Sequence, residues 1–139
     1  ANVMYMKALA TLNETDGWFS WLTNEDVAER DANASREAFD IFKELVLRFP
    51  GSQYAPEARR RMQELVIAQA QHELSTAKYY FVRHAYVAAI DRAQRVVREF
   101  QNTPQRDEAL DLIAKSYDAL QLNDLATDTR RIIELNKQN

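Results

Sequence analysis

Apolar residues recur along most of the chain at the spacing of an amphipathic helix, in which positions three or four apart share one face. The clearest stripe is formed by Ala38, Phe39, Phe42, Leu45, Val46 and Phe49. A second stripe occupies residues 86–100, and further stripes follow in residues 105–122 and 123–139. Such a series of apolar faces predicts helices that pack against one another through short turns, and so an all-α fold.

Breaks in this pattern divide the chain into five segments. Residues 1–14 have the pattern of the end of a helix, and residues 15–31 have no sustained helical period, so they are predicted to form an irregular loop. A repeat containing one over-long helix is predicted over residues 32–84, a second repeat over 85–122, and a terminal helix over 123–139. Because the first residues already have the pattern of a helix interior, we expect the chain to be a fragment of a longer protein.

Two of these segments match each other at an offset of 51 residues. The shared positions are small alanines, an apolar stripe and an aromatic residue at the turn: Ala38 with Ala89, Leu45 with Val96, Phe49 with Phe100, and Ala58 with Ala109. Internal repetition of a helix, a turn and a helix is typical of a solenoid, and alanines that let paired helices approach closely are typical of tetratricopeptide repeats. We therefore predict that residues 1–139 form a single tetratricopeptide-like solenoid of helical hairpins.

Composition supports long helices and excludes several classes of site. The chain has 2 Gly and 3 Pro, whereas average usage would give about ten and seven. Sheet-rich folds and glycine-rich phosphate loops need more glycine than this. The absence of cysteine excludes disulfides, thiol nucleophiles and thiolate metal sites. No apolar run approaches the roughly 18 residues of a membrane span, so the fragment is expected to be soluble.

Catalytic and metal-binding motifs are also missing from the sequence. The residue four positions after His72 is Thr76, so the second ligand of a zinc-protease helix is absent. No nucleophile elbow or phosphate-binding lysine loop occurs. The carboxylates of Asp107, Glu108 and Asp111 suit the positive end of a helix better than acid–base catalysis. The sequence therefore predicts no enzyme activity, no cofactor and no metal site.

Charge is distributed unevenly along the chain. The net charge is −3, but residues 58–106 carry nine Lys or Arg against four Asp or Glu, which makes this central block basic. It contains no nucleic-acid-binding motif, and its arginines alternate with acidic residues instead of base-stacking aromatics. A moderately basic face of this kind favours an acidic protein partner over nucleic acid, because complementary charge guides association.

Tyr79 and a set of four large apolar residues each allow two interpretations. Tyr79 either lies at the wet edge of the core or anchors an interface, since aromatic side chains with a polar tip are enriched in binding hot spots. A second group, Trp18, Phe19, Trp21 and Leu22, either folds back onto the first helix or forms a docking patch.

Five stretches of the chain resemble the C-terminal part of the BamD family, the tetratricopeptide lipoproteins of the β-barrel assembly machinery. They are residues 3–7, residues 30–39, residues 49–54 with Ala58, residues 77–92, and residues 107–135. The tract from Tyr79 to Arg92 is the most specific, because generic tetratricopeptide repeats do not combine its Tyr-Tyr pair with this arginine. One departure is His84, which replaces the glycine usual at this inter-helix turn.

The resemblance implies a non-enzymatic scaffold on the periplasmic face of the outer membrane, held there by a lipidated cysteine upstream of this fragment. It also implies docking on the periplasmic POTRA region of BamA, with BamC and BamE as further expected partners. Arg92 matches the family arginine that pairs with an acidic residue of BamA, and Arg95 shares its face by helical spacing. The other interpretation of Arg92 is a solvated side chain beside Asp91 and Glu99.

Two other functions are consistent with a helical-hairpin fold. The first alternative is a chaperone-like module whose concave groove binds extended segments of unfolded client proteins. The second is a cytoplasmic tetratricopeptide adaptor, which a lipidation signal upstream would exclude.

Overall fold

The computed structural model describes the backbone of residues 1–13 and 24–139 and the side chains of residues 1–12 and 33–139. Over these residues the chain forms six helices and no strand. The helices are α1 (Asn2–Asn13), α2 (Asn24–Arg48), α3 (Ala55–Val82), α4 (Tyr86–Glu99), α5 (Gln105–Ala119) and α6 (Asn123–Lys137). The predicted all-α, tetratricopeptide-like class is confirmed, and α3, with 28 residues, is the predicted over-long helix.

The described residues divide into two compact units, residues 1–65 and residues 66–139. The boundary falls inside α3, so the start of this helix belongs to the first unit and the remainder to the second. The sequence predicts one solenoid over residues 1–139, and that arrangement of the two units stays a prediction.

In the first unit, α1 and α2 pack against each other and against the start of α3 around Phe42. Ala8 on α1, Phe42 on α2 and Ala58 on α3 are all 0% exposed. The ring of Tyr5 lies 6.0 Å from that of Phe42 and is stacked 5.1 Å from that of Tyr54. Alanines at the helix contacts let the backbones approach closely, and Phe42 is the largest fully buried side chain of this core.

The turn between α2 and α3 uses local hydrogen bonds. The amide of Ser52 donates to the carbonyl of Phe49 at 3.0 Å, and the amide of Tyr54 donates to Ser52 Oγ at 3.1 Å. Pro56 occupies the first turn of α3, where an amide would have no helical acceptor in any case. α2 thus ends at Arg48 and α3 begins at Ala55, so Phe49 lies at the turn, as predicted for the aromatic end of the stripe.

In the second unit, α5 packs against both α4 and α6, and the latter part of α3 contributes to the same core. Leu74 and Ala77 of α3 lie in a buried cluster with Val96 of α4 and Ile113 of α5. Across α5 and α6, both guanidinium Nη atoms of Arg130 donate to the carboxylate of Asp118. These hydrogen bonds, and then the charge of Arg130, hold the pKa of Asp118 below its ordinary value.

The internal repeat predicted from the sequence buries matching positions in both copies. Four pairs related by the offset of 51 have 0% exposure: Ala38 and Ala89, Phe42 and Ala93, Leu45 and Val96, Ala58 and Ala109. The two copies therefore use the same positions for helix contacts, although the aromatic Phe42 of the first copy is replaced by alanine in the second.

The prediction of an irregular segment through residue 31 is wrong for its second part, because α2 begins at Asn24. The residues from 24 to 31 have no apolar stripe, but Glu25, Ala28 and Arg30 are good helix formers. Because this part of α2 lacks an apolar stripe, hydrophobic periodicity could not predict that it is helical. The apolar group Trp18, Phe19, Trp21 and Leu22 lies outside the described residues, so both interpretations of it stay open.

Two turns in the second unit have the same backbone geometry. His84 after α3 and Gln121 after α5 both have a φ of 61°, the left-handed region that favours glycine. In each turn the next amide donates to the carbonyl five residues before it, from Ala85 to Tyr80 at 3.0 Å and from Leu122 to Tyr117 at 2.9 Å. This is the bond of a Schellman helix end. His84 therefore adopts the left-handed turn conformation at the position where the resemblance implies a glycine.

Replacing His84 with glycine is expected to raise the free energy of unfolding by about 0.5–1 kcal/mol, because glycine removes the steric cost of the left-handed conformation. Urea denaturation would measure the change. His84→Gly also loses a contact, because His84 Nδ1 lies 2.7 Å from the hydroxyl of Tyr86. Gln121→Gly is therefore the matched control, which changes a turn of the same geometry without losing that contact. A smaller gain for His84→Gly than for Gln121→Gly is therefore expected, and a loss of stability in both variants would contradict the idea that these turns are strained.

Candidate partner-binding surface

The structure places Arg92 and Arg95 on one face of α4, three residues apart, with Glu73 of α3 opposite them. Arg92 Nη1 lies 3.4 Å from Glu73 Oε2, and Arg95 Nη1 lies 3.9 Å from Glu73 Oε1. One carboxylate is thus shared by two guanidinium groups, and each guanidinium contacts a different oxygen. We call these three residues the Arg92 cluster. Its formal charge is +1.

Exposure within the Arg92 cluster increases from the carboxylate to the arginines. The side chain of Glu73 is 22% exposed, that of Arg92 is 33% exposed and that of Arg95 is 40% exposed. Each guanidinium has five N–H donors. Within residues 1–12 and 33–139, Glu73 is the only carboxylate that pairs with either arginine. Both arginines therefore retain N–H groups that could donate to an acceptor arriving from solvent.

The interpretation of Arg92 as a solvated side chain beside Asp91 and Glu99 stays open, since 33% of this side chain is exposed. In the described part of the chain, neither Asp91 nor Glu99 forms an ion pair with Arg92. Glu73 is the ion-pair partner of Arg92 that the sequence did not predict. It lies 19 positions before Arg92 and on another helix, so neither helical spacing nor a motif connects the two.

Tyr79, the third predicted partner-binding residue, lies on α3 and is 52% exposed. The guanidinium carbon of Arg83 lies 4.0 Å from the centre of its ring, which is the geometry of a cation–π contact. The neighbouring Tyr80 meets the Tyr79 ring edge-on, with ring centres 5.6 Å apart. Across the described residues, no hydrogen bond, ion pair or ring contact joins Tyr79 to the Arg92 cluster. The structure therefore brings Arg92 and Arg95 together and leaves Tyr79 as a separate exposed aromatic.

Two of the three acidic residues predicted at the start of α5 form surface ion pairs. Glu108 pairs with Lys78 of α3, and Asp111 pairs with Lys115 at 2.9 Å. Within the ranges that the structure describes, no group of three or more His, Asp or Glu could hold a metal ion. Over the same ranges, no helix combines the length and the apolar character needed to cross a bilayer.

Comparison with known protein families gives one match over nearly the whole chain. The family model YfiO, described as outer membrane lipoprotein, matches residues 1–132.

Curated relatives carry the name outer membrane protein assembly factor BamD. That of Neisseria meningitidis serogroup A is 42% identical over 133 residues, which are 96% of this chain and 50% of the relative. The protein of Pasteurella multocida is 38% identical over 97% of this chain and 52% of its own length. The protein of Vibrio cholerae is 34% identical over 96% of this chain and 56% of its own length. The chain thus spans about half the length of the relatives it matches, and its correspondence to their C-terminal part stays a prediction.

Proposed function

Because the chain belongs to the YfiO family of outer membrane lipoproteins, we propose that it is part of a non-enzymatic scaffold of the outer-membrane β-barrel assembly complex. In this proposal the Arg92 cluster docks on the periplasmic POTRA region of BamA. The protein acts through its surface and transfers no chemical group. Its place is the periplasmic face of the outer membrane, and the lipid anchor belongs to a segment upstream of this fragment.

The observation that carries this proposal is the arginine pair with unused donors on α4. Arg92 and Arg95 share a single carboxylate, so the cluster keeps a net positive charge and can receive a further anion. An acidic residue of a protein is the matching ligand, because guanidinium and carboxylate form parallel, directional hydrogen bonds. Arg92 is also the last residue of the tract, Tyr79 to Arg92, that resembles the BamD family most specifically.

The exposed aromatic residue Tyr79 also supports docking on BamA. The exposed ring of Tyr79, covered on one face by Arg83, combines apolar area with a polar hydroxyl, and such residues are common at the centre of interfaces. We propose that Tyr79 makes a further contact with BamA, separate from that of the Arg92 cluster. Contacts with BamC and BamE belong to the same proposal, although no residue of this chain is assigned to them.

The test is to measure binding between the intact protein that carries this chain and the periplasmic domains of BamA over a range of salt concentrations. Affinity should fall as NaCl rises from 50 to 500 mM, because salt screens the attraction between partly exposed charges. A photo-crosslinking residue at Arg98, exposed on α4, should label BamA, while one at Arg131, exposed on α6, serves as the control. Absence of binding would refute the proposal. If unfolded client peptides label the Arg98 site instead, the chaperone-like alternative is favoured.

A further inference from the structure

We infer that Glu73 is a positioning residue, which holds Arg92 and Arg95 in the arrangement that receives a carboxylate of an acidic protein partner. This inference rests on the proposed function, because it concerns the same surface. What it adds is a role for a residue on a different helix, which makes no direct contact with the partner.

The geometry of the shared carboxylate is the first argument. Each oxygen of Glu73 faces a different arginine, at 3.4 Å and 3.9 Å, so one rigid planar group sets the spacing of both guanidiniums. Glu73 is also the least exposed member of the cluster, with 22% exposure against 33% and 40%. The carboxylate therefore contacts the arginines from the less exposed side, and their remaining N–H groups are left for a partner.

The entropy of the arginine side chains is the second argument. A free arginine on a surface loses rotamer freedom when a partner immobilises it, and this loss weakens binding. Arginines already held by Glu73 have lost part of that freedom before the partner arrives. The same contact lowers the charge of the cluster from +2 to +1. Glu73 should therefore slow dissociation of the complex while slightly reducing electrostatic attraction at long range.

The variant Glu73→Gln separates these two effects. Glutamine has the same length, but its amide is neutral and replaces one acceptor oxygen with an NH₂ donor, so a separate negatively charged oxygen no longer faces each arginine. We expect dissociation from the BamA periplasmic domains to become about 3- to 10-fold faster, the size expected for coupled neighbouring residues. Association should be unchanged or faster, with a steeper dependence on salt, because the cluster gains positive charge.

A matched control is Glu108→Gln, which makes the same change of charge in the same unit and breaks the pair between Glu108 and Lys78. Its dissociation rate should equal that of the unmodified protein. Both rates are measured by surface-immobilised kinetics on the intact protein, and thermal unfolding of the two variants is compared. An unchanged dissociation rate in Glu73→Gln overturns the inference.

A double-mutant comparison distinguishes positioning from a merely structural role. If Glu73 acts through the arginines, Glu73→Gln should not accelerate dissociation further in a protein that already carries Arg92→Ala and Arg95→Ala. If the acceleration persists in that background, Glu73 only holds α3 against α4, and the inference is wrong. Failure of the proposed function gives a different result, because Arg92→Ala alone would then leave the affinity unchanged.

Discussion

Replacing Arg92 with alanine is expected to weaken binding to the periplasmic domains of BamA by about 2–5 kcal/mol, which is roughly 30-fold or more in Kd. The loss has two causes. The partner's carboxylate is left in the interface without its guanidinium, and Glu73 then faces that carboxylate with only Arg95, at 3.9 Å from its oxygen, to separate the two negative charges. Truncating one member of a desolvated charge pair mainly speeds dissociation, so the association rate should change less than the dissociation rate.

The matched control is Arg98→Ala, which removes an exposed arginine from the same helix. Arg98 has no ion pair within the described residues, and loss of one exposed charge should change affinity by only a few-fold. Titration calorimetry or surface kinetics would measure both variants. If both substitutions reduced the affinity equally, α4 would contribute to binding only through its overall positive charge, and Arg92 would have no specific partner.

Replacing Phe42 with alanine is expected to lower the free energy of unfolding of the first unit by about 3–5 kcal/mol. The ring is 0% exposed in a buried cluster, and its removal costs the transfer free energy of the ring together with the cost of the cavity that remains. It also removes the ring contact with Tyr5. Chemical denaturation followed by circular dichroism would measure the change.

Phe49→Ala is the control for this experiment, because Phe49 is 38% exposed at the end of the same stripe. Its loss should cost about 1–2 kcal/mol, in proportion to the smaller apolar area that it buries. A cost for Phe42→Ala no larger than that for Phe49→Ala would mean that the first core collapses around the missing ring.

The helices with apolar stripes could be predicted from the sequence, because a helix with one buried face has apolar residues three or four positions apart. The offset of 51 residues identifies Ala38 with Ala89 and Ala58 with Ala109, and all four are buried at helix contacts. The start of α2 could not be predicted in this way, because residues 24–31 form a helix without an apolar stripe. Hydrophobic periodicity identifies a helix by its buried face, whereas helix propensity alone is a weaker signal in the sequence.

Only part of the candidate site could be predicted, because Glu73 lies far along the chain from the two arginines. The face shared by Arg92 and Arg95 follows from their spacing on α4, and local sequence is sufficient for it. Glu73 is brought to them only by the packing of α3 against the core that α4 lines, a tertiary contact between residues 19 positions apart. The exposure of Tyr79 agrees with both interpretations of that residue, so its role in binding stays a prediction.

The two left-handed turns at His84 and Gln121 bear on how the chain can vary among species. Their defining hydrogen bonds are made by the main chain, so natural variation there is limited mainly by how well a residue tolerates a positive φ. Glycine, asparagine and aspartate tolerate this conformation, whereas valine, isoleucine and threonine crowd the backbone. We therefore expect orthologues to have residues of different chemistry at these two turn positions, but not residues branched at Cβ.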